Sequence, residues 1–521
     1  MDVFDWIIVL LLGATLLAAL ARRLAIPYPT LLAIGGVALA FVPQSPGWTL
    51  DPHLALTLFV APVLLDAAYD SSPRDLKENW RAVASLAIMA VGVTTVAVAI
   101  VIRLLVPDIP WPVAVALGAI VAPPDAAAAT AVVRQIKLPH RILTILEGES
   151  LVNDASALLL YRLAVFAAVS GGVSFATIVP TFFLVVLGSI AAGWLLSRVV
   201  QLIIGRIQDV PTAIIVQFCS TFGVWIAAES IGLSGILTIV TFAILLARQG
   251  RLEQAARMRV PTNAVWATAV FVLNIFAFVL IGMQLRPIWE RLDALQRQSY
   301  PLIALAVLLT AIAVRFAWVM SYSAFQTWRG PARRGRAFSG GKPTLRGSVV
   351  ISWAGMRGIV TLAAAFALPE HLRDGSPFPY RDLILLCAFA VVFGTLVVQG
   401  LTLKPLIRVI RLRGEDTVGA EVRWARREAY RAALEALDGD KSEEAERLRR
   451  EYNAAIELDD GDGEAVGIED LPGNAVRRTA IAAARKRAND LRLKGEIGDE
   501  AYRTLEAHFD WTELSAGGER V

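Results

Sequence analysis

The residues best suited to chemistry stand together in one stretch, GESLVNDASALLLY, at positions 148–161. Glu149, Asn153 and Asp154 are spaced i, i+4 and i+5, so on a helix they project from one face, with Ser150 beside them. The stretch lies in an apolar run, and an ionised carboxylate at the middle of a bilayer costs about 2.5–3.5 kcal/mol even on the mildest scale. Carboxylates in that setting normally face a water-filled cavity. We therefore predict a site that handles ions.

Composition supports the membrane setting. Hydrophobic residues make up 56% of the chain and charged residues only 18%, and the mean hydropathy is +0.57. Windows of about 20 apolar residues predict about thirteen transmembrane helices within residues 1–410. Residues 411–521 are rich in charge and predict a separate helical domain in the cytosol. The two cysteines lie in apolar segments, so no disulfide framework is expected.

Lysine and arginine are distributed unevenly over the predicted loops. Alternate loops carry about twenty of them and the intervening loops about six, an asymmetry that places the N-terminus outside and the C-terminus in the cytoplasm. The basic pI of about 9.1 therefore reflects membrane orientation, and no nucleic-acid partner is expected. Membrane lipid is the expected surrounding.

Two predicted spans carry helix-breaking residues beside a charge. In the segment APPDAAAATAV two prolines precede Asp125, and in SWAGMRGIVTLAA two glycines flank Arg357. Interrupted helices in the two halves of a chain are typical of inverted-repeat transporters, whose substrate site lies near the middle of the membrane. The pairing of each interruption with a charge favours that interpretation over an incidental kink.

Buried charges must be compensated. The charged residues well inside the apolar runs are Asp66, Asp125, Glu149, Asp154, Arg162, Arg315 and Arg357. Arginine stays protonated, so the arginines are expected to hold carboxylates ionised. Arg315 is predicted to pair with the Glu149 face and Arg357 with Asp125 or Glu149. Asp66 is predicted either at a cavity mouth or near the solvated interface, and Arg162 is predicted to pair structurally or extend to the interface.

Asp154 is the group predicted to alternate between a proton and a cation. Hard cations such as Na⁺ prefer oxygen ligands, which the Asp154 carboxylate, the Ser150 hydroxyl and carbonyls around Pro124 would supply. Thr130 is a weaker candidate, because a threonine within a span usually bonds to its own helix. Asn153 cannot titrate and is predicted to orient its neighbours. Competition between H⁺ and Na⁺ for one carboxylate would couple their fluxes one for one, without net charge movement.

Three segments, GESLVNDA, APPDAAAATAV and SWAGMRGIVTLAA, together resemble the monovalent cation/proton antiporters, specifically the bacterial Na⁺/H⁺ exchangers of the NhaP/NHE type. The resemblance covers about residues 5–410. It implies an all-α, NhaA/NhaP-like inverted-repeat transporter with two unwound, crossing helices. It also implies a core bundle (about 82–169 and 300–410) that moves like an elevator, and a dimerisation part (about 1–70 and 176–285).

The same resemblance implies a homodimer in the bacterial plasma membrane that serves pH homeostasis, without a cofactor, by transporting H⁺ and Na⁺, Li⁺ or K⁺. It makes Asp154 the cation-binding residue. The other site roles fall on Asn153, Ser150, Glu149, Asp125, Arg315 and Arg357. One departure is Pro124, which stands where many relatives have Thr or Ser, so a hydroxyl ligand is missing and the ion preference stays open.

Three other classes of protein compete with this interpretation. A cation channel would use the same cavity but needs a continuous pore, usually with rings of ligands. An intramembrane aspartyl protease would need a GxGD partner for the Tyr69–Asp70 pair, and no predicted span contains one. A sensor that signals through the helical tail would show no ion flux. An enzyme is therefore not expected, and exchange is favoured over the channel and the sensor.

Overall fold

The computed structural model divides the chain into two units. The first is Met1–Arg333 with Gly341–Gly414, and the second is Arg334–Gly340 with Glu415–Val521. The residues that the structure describes are 3–43, 51–125, 128–130, 138–170, 175–207, 209–253, 256–328, 344–373, 375–412, 417–439, 441–459 and the single positions 481, 484, 486 and 490.

The first unit is built from helices. In chain order they are α1 (Val3–Leu24), α2 (Tyr28–Ala40), α3 (Pro52–Ala55), α4 (Ala61–Asp70), α5 (Pro73–Ala84), α6 (Val91–Leu105), α7 (Trp111–Val121), α8 (His140–Ser170), α9 (Phe175–Ile204), α10 (Val210–Ser230), α11 (Gly235–Glu253), α12 (Ala256–Met283), α13 (Leu285–Arg291), α14 (Ala294–Trp328), α15 (Leu345–Trp353), α16 (Ile359–Phe366) and α17 (Arg381–Ile410). Two π-helical turns, Leu56–Val60 and Ser85–Ala90, join α3 to α4 and α5 to α6.

Within the described ranges, nine helical spans are long and apolar enough to cross a membrane, and three further apolar helices are shorter. The predicted all-α, polytopic membrane fold is therefore confirmed. Burial differs strongly between the spans. Only 22% of the apolar window of α1 is buried, against 72% of that of α17. Helix α17 therefore runs through the interior of the unit, whereas α1 presents most of its surface to the surroundings.

Close backbone contact holds some of these helices together. Gly36 of α2 faces Gly282 of α12, and a Cβ atom added at either glycine would meet the backbone of the other helix. Because lipid tails are as apolar as the helix surfaces, helices in a membrane gain stability mainly from such close van der Waals packing. The two glycines permit this close packing of α2 and α12 because they have no side chain at the crossing point.

Both segments with helix-breaking residues are non-helical where the breakers stand. Helix α7 ends at Val121, and residues 122–125 have no regular structure. The second segment, SWAGMRGIVTLAA, lies where the two short helices α15 and α16 are joined by residues 354–358 without helical structure. In the first of these segments, residues 126–127 and 131–132 lie outside the described part of the chain.

The second unit contains α18 (Thr417–Ala436) and α19 (Glu443–Asp459). These two helices pack against each other, and the rings of Tyr430 and Tyr452 stack with centroids 5.0 Å apart. The helical character predicted for this part of the tail is present in the described residues.

Candidate ion-binding site

Helix α8 carries the four residues singled out by their spacing, and it buries all of them. Glu149 is 1% exposed, Ser150 8%, Asn153 0% and Asp154 5%. A buried polar face in the middle of a long membrane helix is costly unless each group has a partner or a charge to bind. The partners of these side chains therefore define what the site can do.

Glu149 is paired with Arg315 of α14. The pair is bidentate: Nη1 donates to Oε1 at 2.5 Å and Nη2 to Oε2 at 2.9 Å, and both side chains are at most 4% exposed. Nη2 also donates to the carbonyl of Ile351, close to the end of α15, at 3.2 Å. This is the pairing that the sequence predicts for Arg315, and it neutralises one carboxylate of the site.

Arg357 departs from its predicted pairing. Neither Asp125 nor Glu149 is within ion-pair distance of it among the described residues. The guanidinium instead donates to backbone carbonyls, those of Gly355 at 2.5 Å, Val121 at 3.2 Å and Ala311 at 3.4 Å. For Val121 and Gly355 the reason is the interruption of the helices, because helix ends leave carbonyls without an intrahelical donor and a buried guanidinium has five donors. The positive charge of Arg357 is therefore not cancelled by a carboxylate of its own.

The two interrupted segments contact each other directly. The backbone N–H of Asp125 donates to the carbonyl of Met356 at 2.6 Å. A Cβ atom on Gly358 would overlap the Asp125 carboxyl group, and a Cβ atom on Gly355 would overlap the Arg315 guanidinium. The two glycines of the GMRG segment are thus needed for space, since each makes room for a charged side chain of the site.

Asn153 links α8 to the first interrupted segment. Its Nδ2 donates to the carbonyl of Pro124 at 2.7 Å. Within the described residues its Oδ1 has no hydrogen-bond partner, and neither does Nε of Arg315. The position that lacks a side-chain hydroxyl, Pro124, therefore contributes its carbonyl, and Asn153 leaves one buried oxygen available to a ligand.

Charge balance is the main electrostatic property of the site. Asp154 lies within electrostatic range of both Asp125 and Glu149, and Arg357 within range of Arg315 and Glu149. Three carboxylates face two guanidiniums, so these five groups together carry a formal charge of −1 when all are ionised. A buried charge of that kind must be matched by a counter-charge or removed by protonation. One monovalent cation would supply the counter-charge, and one proton would remove the negative charge.

Helix α8 is tethered beside the site by a hydroxyl that the sequence analysis did not consider. Ser156 Oγ donates to the carbonyl of Ala87 at 2.5 Å, inside the π-helical turn that joins α5 to α6. Trp318 Nε1 of α14 donates to Ser85 Oγ in the same turn at 3.3 Å. A π-helical turn displaces carbonyls from the regular ladder, so they become acceptors for neighbouring helices.

Two other polar residues escaped the sequence analysis. Thr395 of α17 accepts the backbone N–H of Arg357 at 3.0 Å and thereby fixes the interrupted segment. Glu229 pairs with Arg162 at 2.5 Å, connecting α8 to α10. The sequence signal for Glu229 was a single acidic residue in the last turn of an apolar helix. Its ion pair with Arg162 agrees with the structural pairing predicted for Arg162. No comparable signal exists for a threonine.

The remaining predicted residues lie near or beyond this cluster. Thr130 is partly buried, five residues after Asp125, and Asp66 is partly buried on α4. Helix α4 packs against α8. The roles of Thr130 and Asp66 stay predictions.

Interrupted helices that meet at buried charges define the chain as a multi-spanning helical membrane protein with the architecture of a secondary transporter. Its fold is similar to that of the sodium proton antiporter MjNhaP1 from Methanocaldococcus jannaschii, with a TM-score of 0.61 and 17% identity, covering 79% of this chain and 99% of that one. The chain belongs to the sodium/hydrogen exchanger family, since it matches the family described as "Sodium/hydrogen exchanger, transmembrane" over residues 7–409.

Curated relatives agree with this membership. A "Sodium, potassium, lithium and rubidium/H(+) antiporter" of Bacillus pumilus is 32% identical over 428 residues, covering 79% of this chain. The chain spans 62% of the length of that relative. An uncharacterized Na⁺/H⁺ exchanger of Mycobacterium tuberculosis is 30% identical over 535 residues, covering 98% of this chain and 96% of the relative. The likeness to the mycobacterial protein therefore extends into the second unit.

Proposed function

We propose that the protein exchanges a monovalent cation, Na⁺ or alternatively Li⁺ or K⁺, for H⁺ across the cytoplasmic membrane, one for one. The observation that carries the proposal is the single uncompensated negative charge of the cluster formed by three carboxylates and two guanidiniums. Such a cluster is neutral with one cation or with one proton, and holding both would leave an excess positive charge in a buried site. Exchange without net charge movement follows.

Asp154 is the residue to which we assign this alternation. Glu149 is held by Arg315 through two hydrogen bonds, so its charge is already compensated. Asp154 has no such partner within ion-pair distance among the described residues, and the buried oxygen of Asn153 is available on the same helical face. Ser150 and Asp125 complete a set of oxygen ligands that suits a hard cation. No cofactor is needed for this chemistry.

Alternating access would expose the site to one side of the membrane at a time. We assign the moving core to the interrupted helices with α8, α14 and α17, and the dimerisation part to about residues 1–70 and 176–285. Large exposed apolar faces on α1 and α9, whose windows are each 22% buried, support a peripheral role for those helices. The homodimer, the elevator movement and an N-terminus outside the cell belong to the same proposal.

The test is ion flux in proteoliposomes that contain the purified protein and a pH-sensitive dye. A gradient of Na⁺, Li⁺, K⁺ or Rb⁺ should move protons in the opposite direction, and clamping the membrane potential at zero should leave the rate unchanged. A current that persists without a proton gradient would identify a channel. The absence of any flux in a folded preparation would favour a sensor and refute exchange.

A further inference from the structure

A pocket of about 230 Å³ opens between the turn that joins α1 to α2 and the last part of α17. The turn contributes residues 24–27, and α17 contributes Gly400, Leu401, Lys404 and neighbouring residues. It lies at the end of the unit where both α1 and α17 terminate. The positive-inside asymmetry assigns this end to the cytoplasmic surface.

The charge of the pocket has one sign. Among the described residues, the charged side chains in its lining are Lys404 and Arg408, and no carboxylate contributes to it. Lys404 Nζ donates to the carbonyl of Ala25 at 3.3 Å, which uses one of the three donors of an ammonium group. Arg408 is exposed and carries five donors. The pocket therefore presents two positive charges and several hydrogen-bond donors to whatever occupies it.

The turn between α1 and α2 has a backbone conformation that directs the Ala25 carbonyl to Lys404. Ala25 has a φ of 54°, a left-handed conformation that residues with a Cβ atom rarely adopt. Hydrogen bonds from Ala25 N to the Arg22 carbonyl and from Ile26 N to the Ala21 carbonyl hold that conformation. The Ala25 carbonyl points to the ammonium group as a result, so Lys404 is anchored at the pocket.

Apolar tracks lead from the pocket along both helices. On α1, Leu20 and Leu24 share one face and are 43% and 55% exposed. On α17, Val398 and Leu401 are 45% and 42% exposed. Helix α2 packs against both α1 and α17 and lies between them. The surface thus combines a cationic pocket at the membrane boundary with two apolar tracks that run into the membrane.

We propose that this pocket binds the phosphate of an anionic phospholipid, with the acyl chains lying along the tracks of α1 and α17. Lys404 and Arg408 supply charge-assisted hydrogen bonds to the phosphate oxygens, which are stronger than bonds between neutral groups. Basic pockets between membrane helices at the cytoplasmic side are suited to anionic head groups. The combination of cations with adjoining apolar tracks favours a lipid over a free anion. The binding test below does not depend on the ion exchange proposed above.

The test uses the full chain, purified and delipidated in detergent. Retained lipid is measured by native mass spectrometry and thermal stability by melting, with phosphatidylglycerol, with phosphatidylcholine and with inorganic phosphate. The variant Lys404→Gln/Arg408→Gln removes both cations. The matched control is Arg198→Gln/Arg206→Gln, which removes two exposed cations at the same predicted side but outside the pocket.

We expect phosphatidylglycerol to bind wild type and the control better than phosphatidylcholine does, and to raise their melting temperatures. In the pocket variant its affinity should fall by about fivefold per cation, about 25-fold in all. Equal losses in both variants, or no preference for the anionic lipid, would overturn the proposal. If inorganic phosphate stabilised the protein as much as the lipid does, the ligand of the pocket would be a soluble anion and the lipid proposal would be wrong.

Discussion

Variants of the buried Glu149–Arg315 pair can show whether transport depends on the net charge of the cluster or on the identity of these two residues. Glu149→Gln leaves the guanidinium unpaired and makes the ionised cluster neutral, whereas Arg315→Met leaves the carboxylate unpaired and gives the cluster two negative charges. The double variant Glu149→Gln/Arg315→Met restores one negative charge. We expect each single variant to exchange more slowly than wild type, with a changed Na⁺ KM, and the double variant to recover a measurable part of the activity.

The expected change in affinity follows from the distance between Glu149 and Asp154, which both lie on α8. Glu149 and Asp154 are five residues apart, which is about 7.5 Å along a helix. At about 8 Å and an effective dielectric constant of about 20, a unit charge changes the energy of a cation at Asp154 by about 2 kcal/mol, or about 30-fold in affinity. Glu149→Gln should therefore raise the Na⁺ KM about 30-fold. Each single variant should also lose about 3–5 kcal/mol of folding stability, because a buried charge loses its partner.

The assay is the Na⁺ KM in proteoliposomes, together with the melting temperature of each variant. The control is Arg286→Gln/Glu290→Gln, which removes an exposed Arg–Glu pair of the same unit, joined at 2.8 Å. Exposed pairs contribute less than about 1 kcal/mol, so this control should keep wild-type transport and nearly wild-type melting. A folded double variant as inactive as the single variants would refute the reasoning, as would single variants with a wild-type KM.

Three further substitutions test individual residues. Asp154→Asn should abolish Na⁺-driven proton flux with little change in melting temperature, and unchanged flux would remove Asp154 from the mechanism. Asn153→Asp adds a second titrating group, so exchange should become dependent on membrane potential; potential-independent exchange would count against it. Gly358→Ala should cost about 1–3 kcal/mol of stability and reduce transport because the new methyl group overlaps Asp125. Its control, Gly92→Ala, has open space at the corresponding position and should leave both melting and flux unchanged.

The sequence was most informative where a physical constraint left few options. Apolar runs near 20 residues identify membrane helices because no other element satisfies its backbone in lipid. The pairing of Arg315 with Glu149 could be anticipated for a similar reason, since few charges lie within the spans and they must compensate one another. Proline and glycine beside Asp125 and Arg357 likewise marked the segments that are not helical.

The partners of Arg357 could not be predicted in the same way. Two of them, those of Val121 and Gly355, lie where α7 and α15 end, and the third, that of Ala311, lies within α14. A carbonyl is present at every residue, so the sequence does not distinguish the ones that become available. The same limit applies to Thr395 and Ser156, whose hydroxyls bond to backbone atoms of other segments. Such contacts depend on where two segments meet, which periodicity along one helix does not specify.

The central claim is that one buried carboxyl group binds either a cation or a proton. Its most direct test is the Na⁺ KM of the reconstituted protein measured at a series of pH values. Mutually exclusive binding predicts that the KM rises about tenfold for each unit of pH decrease once the group is mostly protonated, while the maximal rate at saturating Na⁺ stays constant. A Na⁺ KM that stays constant with pH while the maximal rate changes would place the two ions at separate sites and contradict the claim.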